Sequence, residues 1–187
     1  MALTYSKYTL RLGDTAPDFK LRGVDGKTYS LESFSSARAL AVVFMCNHCP
    51  YVIAVQDRIN QLAKKYASQG VALIGINSND PVKYPDDNFA AMQARSKEQG
   101  YIFPYLFDDT QSTAKAYDAV CTPDPFVFER VSDQFLLRYH GRIDDNWKDP
   151  KSVKRQELAE ALDCILSNRA VNPDQLPAMG CSIKWKA

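Results

Sequence analysis

The chain has 187 residues, 45% of them apolar, enough for one domain with a sizeable core. Its 23 Lys and Arg against 22 Asp and Glu leave a formal charge of +1, without the concentrated positive face that nucleic acid or an acidic membrane demands. Neither is an expected partner. The longest apolar run, ALAVVFMC, falls well short of a membrane helix, and MALTYSKYTLRLGD lacks the apolar core of a secretory signal. The expected location is the cytoplasm. Five cysteines are too few for a disulfide scaffold, and an odd number cannot all pair internally.

No repeat or linker divides the chain, so residues 1–187 read as a single domain with 169–187 as a C-terminal tail. APDFKLRGVDGKTYSLESF places two short extended pieces around Val24-Asp25-Gly26-Lys27, a hairpin signal. ALAVVFM (39–45) has the unbroken apolar character of a strand covered on both faces. Val52, Val55, Ile59, Leu62 and Tyr66 then recur at helical spacing, and Gly70 closes that helix. VALIGIN (71–77) is a second buried strand. The pattern predicts a helix over Asp86–Gly100, a short extended piece over 101–108 and a brief helix over Ser112–Tyr117. FVFER (126–130) and FLLRYHG (135–141) read as an antiparallel pair. Val153, Leu158, Ala161, Leu162 and Ile165 mark a last amphipathic helix. Alternating strands and helices imply a βαβ core, and the whole is an α/β protein with a central mixed sheet flanked by helices.

The chemistry concentrates in FMCNHCPYV. Cys46 and Cys49 stand at the junction of a buried strand and a helix, and a helix N-terminus stabilises a thiolate. The expected division of labour has Cys46 at the helix tip, within reach of a substrate and attacking, with Cys49 beneath it as the resolving thiol. A C-x-x-C within a βαβ pattern is a redox signal. Pro50 suits a first helical turn. His48 is either a spacer or a cation that stabilises the Cys46 thiolate, and the second reading is preferred. A zinc site needs a second pair of ligands at suitable spacing, and none is present; no metal is expected, and His140 reads as structural.

APDFKL, DGKTYSL, the VVFM–CNHCP junction and CTPDPFVFE together resemble the thioredoxin-like redoxins of the alkyl hydroperoxide reductase and thiol-specific antioxidant superfamily. CNHCPYV, CTPDPFVF, YHGRIDD and the closing GCSIKWK resemble one bacterial branch of these redoxins. The resemblance implies a thioredoxin-like fold with the redox pair at Cys46 and Cys49. It also implies a cis-proline loop at Thr122–Pro123 that offers backbone groups to an extended substrate and keeps metal from the pair. Pro125 is the competing proline. Three departures stand out. Met45 replaces the tryptophan usual before the first cysteine, and strand 39–45 lacks the usual buried carboxylate. The peroxiredoxin Pro-x-x-x-Thr/Ser-x-x-Cys pattern is also absent.

Cys121 is either a small buried residue or a third redox thiol brought near the pair. Cys164 reads as packing. Cys181 lies in a tail that either supplies an extra resolving or bridging thiol or simply covers a sheet edge, docked by Trp185. Arg142, Asp144 and Asp145 either shape a substrate groove or close a turn. The function expected is thiol–disulfide exchange on protein or small-molecule disulfides, with no bound organic cofactor and an external dithiol donor of the thioredoxin or glutathione type. A thiol peroxidase using Cys46 is the alternative, and a non-enzymatic metal- or partner-binding module is the third.

Overall fold

The computed structural model describes residues 3–187. It opens with β1 (Leu3–Tyr5), then the expected hairpin of β2 (Leu21–Gly23) and β3 (Thr28–Tyr29). The turn contains Gly26 at φ +85°, a conformation glycine adopts without steric cost. β4 (Ala39–Phe44) follows, and all six of its residues are fully buried. α1 (Pro50–Ala67) crosses to β5 (Val71–Asn77), which pairs in parallel with β4. A second crossover through α2 (Phe89–Glu98) leads to β6 (Tyr105–Phe107), parallel to β5. Next come α3 (Ser112–Tyr117), β7 (Cys121–Thr122), β8 (Asp124–Val131) and β9 (Gln134–His140), then α4 (Glu157–Leu166) and β10 (Met179–Ser182).

The main sheet runs β3-β2-β6-β5-β4-β8-β9. Antiparallel β8 and β9 make it mixed, as a thioredoxin-like fold requires. Successive side chains of β4 point to opposite faces. Ala39, Ala41 and Val43 pack with Val52, Val55 and Ile59 of α1 and Leu158 and Leu162 of α4. Leu40, Val42 and Phe44 join Tyr117, Phe126 and Phe128 on the other side. Fully burying one such side chain stabilises by roughly 1.5–3 kcal/mol, so β4 is a firm platform for the residues that leave its C-terminal end. A second sheet of three short antiparallel strands, β1-β10-β7, stands beside it.

Three expectations need correction. The segment from Asp86 does not start as an α-helix: Pro85–Asp87 forms a 3-10 turn, and α2 begins at Phe89 because the Asn88 side chain caps it by accepting the Ala91 N–H. That break turns Asp87 inward. Val153 precedes α4 and follows a separate 3-10 turn, Pro150–Ser152. The tail docks through a different residue. Its Met179–Ser182 segment is the central strand of the second sheet, and the apolar residue that docks it is Ile183, 3% exposed, rather than Trp185 at 38%.

Candidate active site

β4 ends at Phe44, and Met45 N–H still bonds the Ile76 carbonyl, so Cys46 emerges directly from the sheet. Three residues later Cys49 is the N-cap of α1, with Pro50 in the first turn, where its missing N–H has no helical partner to lose. The placement differs from expectation. Cys49, not Cys46, occupies the helix tip, and Cys46 is as good as buried at 2% exposure. Chain order explains this: two residues, Asn47 and His48, separate Cys46 from the helix.

The peptide bond Thr122–Pro123 is cis, while Pro125 sits within β8 opposite Val43. Thr122 touches both sulfurs. Its Oγ1 lies 3.5 Å from Cys46 Sγ, and its carbonyl accepts the Cys49 thiol at 3.1 Å. The two cysteines also hydrogen-bond each other, and together they hold one readily formed negative charge. The Cys46 thiol donating to it lowers Cys49 to about 5, against the cost of burial and with help from Cys181 and the Val52 N–H. Cys46 is pushed up by that same bond, then by burial and by the negative charge of Asp87.

Asp87 is the site residue that the sequence reading missed. It is fully buried. Oδ1 accepts the Asn47 N–H at 2.7 Å and Asn77 Nδ2 at 3.1 Å; Oδ2 accepts Asn79 Nδ2 at 2.7 Å and faces His48 Nδ1 at 2.6 Å. Burial works against its charge, but the bonds from His48, Asn79 and the Asn47 backbone hold it below the ordinary carboxylate value. Asp87 in turn raises His48 above its ordinary value, and the imidazole stacks on Tyr84 at 5.5 Å between ring centroids. His48, expected as a cation that stabilises the Cys46 thiolate, lies beside Cys46 but is tied to Asp87. It is half of an ion pair whose acidic member pushes Cys46 up. The signal was a buried-type acid just before an Asn-capped helix, 41 residues from Cys46 in a different crossover.

A second buried carboxylate, Asp124, follows the cis-proline. His140 Nε2 bonds its Oδ1 at 2.8 Å, and burial raises its pKa. His140 is thus structural, as expected, and stacks on Phe126 at 3.8 Å. Asp124, Phe126 and Phe128 alternate onto the sheet face away from α1.

Cys46, His48 and Asp87 each offer one ligand atom, and these atoms lie within 4.8 Å of one another. Both oxygens of Asp87 already receive hydrogen bonds, so a cation there would have to break a satisfied, charge-assisted network. Beside the cis-proline, Pro123, Arg142, Asp144, Trp147 and Met179 line a groove of about 60 Å³. Two of its charged groups are already paired: Asp144 with Arg58, and Arg142 with Glu157. Tyr51 and Trp147, 4.3 Å apart, pack on the cluster that holds both cysteines.

The two auxiliary thiols separate by face. Cys181 is opposite Thr122 in the antiparallel pairing, and Cys121 is opposite Ser182. Directly paired residues project to the same side, so Cys181 lies with the redox pair and in its apolar cluster. Cys121 points the other way, and burial raises its thiol well above the ordinary range. Cys164 is partly exposed on α4. The Thr122 edge that the resemblance assigns to an extended substrate is taken by the chain's own β10.

The chain is similar to a conserved protein from Geobacillus kaustophilus of known crystal structure, at 42% identity and a TM-score of 0.92, covering 100% of this chain and 97% of that one. It is 25% identical over 124 residues to the thiol-disulfide oxidoreductase ResA of Geobacillus thermodenitrificans, covering 66% of this chain and 67% of that protein. It is 22% identical over 161 residues to the peroxiredoxin Bcp of Bacillus subtilis, covering 84% and 96%. The model of the AhpC/TSA family matches residues 12–145, which span β2 to β9 and both cysteines of the C-x-x-C, and the chain belongs to that family.

Proposed function

We propose that the protein is a thiol–disulfide oxidoreductase that cycles between a Cys46–Cys49 dithiol and its disulfide. The observation that carries this reading is the convergence of both sulfurs on Thr122, 3.5 Å and 3.1 Å away, around one shared negative charge. Membership of the AhpC/TSA family and the likeness to ResA support a thioredoxin-like redox function. Cys46, the only one of the pair with any exposure, takes up the charge as its proton passes to Cys49. Its thiolate attacks a substrate disulfide, forms a mixed disulfide and releases one thiolate, which is protonated. Cys49 then attacks the Cys46 sulfur and expels the second substrate thiol. An external dithiol of the thioredoxin or glutathione type returns two electrons. With its strand edge held by β10, the cis-proline loop of Thr122 and Pro123 guides the substrate sulfur through the Thr122 hydroxyl beside Cys46, and His48, through Asp87, tunes Cys46. The working compartment is the cytoplasm, where such donors keep thiols reduced.

A second reading rests on the Thr122 hydroxyl. The peroxiredoxin pattern supplies a Thr or Ser beside the attacking sulfur from the same loop, and here a hydroxyl reaches Cys46 from the cis-proline loop instead. A peroxide would oxidise Cys46 to the sulfenic acid, and Cys49 would condense with it, releasing water.

The deciding experiment follows thiol loss from fully reduced protein mixed with oxidised glutathione or, separately, equimolar hydrogen peroxide. Disulfide exchange predicts rapid loss to glutathione disulfide, slowed roughly a hundredfold in Cys46→Ser and trapped as a mixed disulfide in Cys49→Ser. Thiol loss to glutathione disulfide that is unchanged in Cys46→Ser sinks the proposal. Loss to peroxide far faster than to the disulfide, and dependent on Cys46, reverses the order of the two readings.

A further inference from the structure

β10 is held in place far more firmly than a covering tail requires. Lys184 N–H bonds Asn79 Oδ1, Asp80 N–H bonds the Lys184 carbonyl, and Lys186 N–H bonds Gln111 Oε1, at 2.8 Å each. On the other side, β1 pairs Leu3 with Cys181 and Thr4 with Gly180. Gly180 permits the approach: a Cβ there would lie 1.9 Å from the Thr122 carbonyl oxygen. That oxygen is the one that accepts the Cys49 thiol. The next residue is Cys181, 2% exposed, in register with Thr122 and in one apolar cluster with Cys46 and Cys49. The Cys181 side chain hydrogen-bonds that of Cys49.

We propose that Cys181 is a third redox thiol of this centre, which takes over Cys49 from the Cys46–Cys49 disulfide and returns Cys46 to the free thiol. This rests on the disulfide exchange proposed above and extends it. Cys181 sulfur attacks Cys49 sulfur, the Cys49–Cys181 bond forms, the Cys46–Cys49 bond breaks, and the proton of Cys181 passes to the leaving Cys46. No oxidant or reductant is consumed, because one disulfide replaces another.

Oxidation of the pair also favours the step. In the reduced protein, burial and then the bond and charge of Cys49 keep Cys181 protonated, its pKa pushed up to about 12. Once Cys49 is in a disulfide its charge is gone, while Lys184 still favours the Cys181 thiolate. Burial still opposes ionisation of Cys181, but two of the causes that hold it protonated, the bond and the charge of Cys49, are removed when the pair is oxidised. The product presents a free Cys46 beside the Thr122 hydroxyl, which can attack a second substrate disulfide, releasing one thiol and forming a mixed disulfide that an external thiol then resolves. Cys121 is paired with Ser182 and projects to the opposite face of β7.

The test equilibrates the full-length protein in glutathione redox buffers, quenches with acid, alkylates and maps disulfides. Wild type is expected to give both Cys46–Cys49 and Cys49–Cys181, and Cys46→Ser only the latter. In the oxidised wild type Cys46 is expected to alkylate at least tenfold faster than in oxidised Cys181→Ser, where it stays locked in the disulfide. A Cys46–Cys49 disulfide in wild type, with no Cys181 disulfide there or in Cys46→Ser, overturns this inference and leaves disulfide exchange intact. Absence of the Cys46–Cys49 disulfide as well overturns the proposed function with it. Because the wild type and Cys46→Ser answer the question, poor folding of Cys181→Ser does not spare it.

Discussion

Asp87 Oδ2 lies 2.6 Å from His48 Nδ1, and the carboxylate is fully buried while the imidazole keeps 17% of its side chain exposed. The ion pair ties the residue between the two cysteines to the turn that precedes α2. It stabilises the loop that carries Cys46, and it sets the charge that Cys46 experiences.

The pair gives stability a pH window. His48 is raised above its ordinary 6.5, so its contribution is complete below that value and is lost as pH rises through the raised one. Asp87 is lowered below its ordinary 3.8, so its contribution is present above that value and is lost as pH falls through the lowered one. The denaturant midpoint of the oxidised protein should therefore exceed that of Asp87→Asn most between these limits. The gap should shrink on the alkaline side. A gap that is constant from pH 5 to about 9 would contradict this window.

Truncating Asp87 should be far worse than neutralising it. Asp87→Ala leaves His48, Asn77, Asn79 and the Asn47 N–H without their acceptor, which costs about 3–5 kcal/mol, as in other broken buried pairs. Asp87→Asn keeps an oxygen and costs less, while removing the negative charge that raises Cys46. Urea melts measure the first effect. Faster alkylation of Cys46 in Asp87→Asn at a fixed neutral pH measures the second, and no acceleration would mean that Asp87 acts only as a structural acceptor.

Titration of the reduced protein, followed by ultraviolet thiolate absorbance, should show a step near pH 5 that disappears in Cys49→Ser. In Cys46→Ala, which cannot donate, the step should move upward, because the first cause of the low value is the Cys46 thiol donating to Cys49. A first step at the ordinary cysteine value of about 9 would remove the shared charge from the mechanism.

Gly180→Ala tests the close packing of β10 on the cis-proline loop. The new methyl would meet backbone atoms, the Thr122 oxygen at 1.9 Å and its carbon at 2.6 Å, so one strand must move. The expected cost is about 1–3 kcal/mol, with hydrogen exchange accelerated at the β10 amides and little changed in β4. Unaltered protection in β10 would show that the strand absorbs the methyl without leaving Thr122.

The sequence by itself determined the parts whose signals are local. The apolar run 39–45, the helical spacing from Val52 to Tyr66 and the Asp25-Gly26 turn each specify an element through residues close in the chain. The cis-proline loop followed from resemblance, and its choice over Pro125 agrees with the cis bond at Thr122–Pro123. The tertiary structure decided the rest, because it depends on which distant segments meet. Asp87 reaches His48 only because α2 starts late at Asn88 and the 3-10 turn folds back onto the end of β4. Cys181 and Cys121 look alike as isolated cysteines, and only the register Thr122↔Cys181 assigns them to opposite faces. Cys46 lies before the helix tip and is more buried than expected, since a helix tip predicted from spacing carries no information about what packs over it. Strand pairing over roughly 60 residues, from β7 to β10, has no periodicity that a sequence can display.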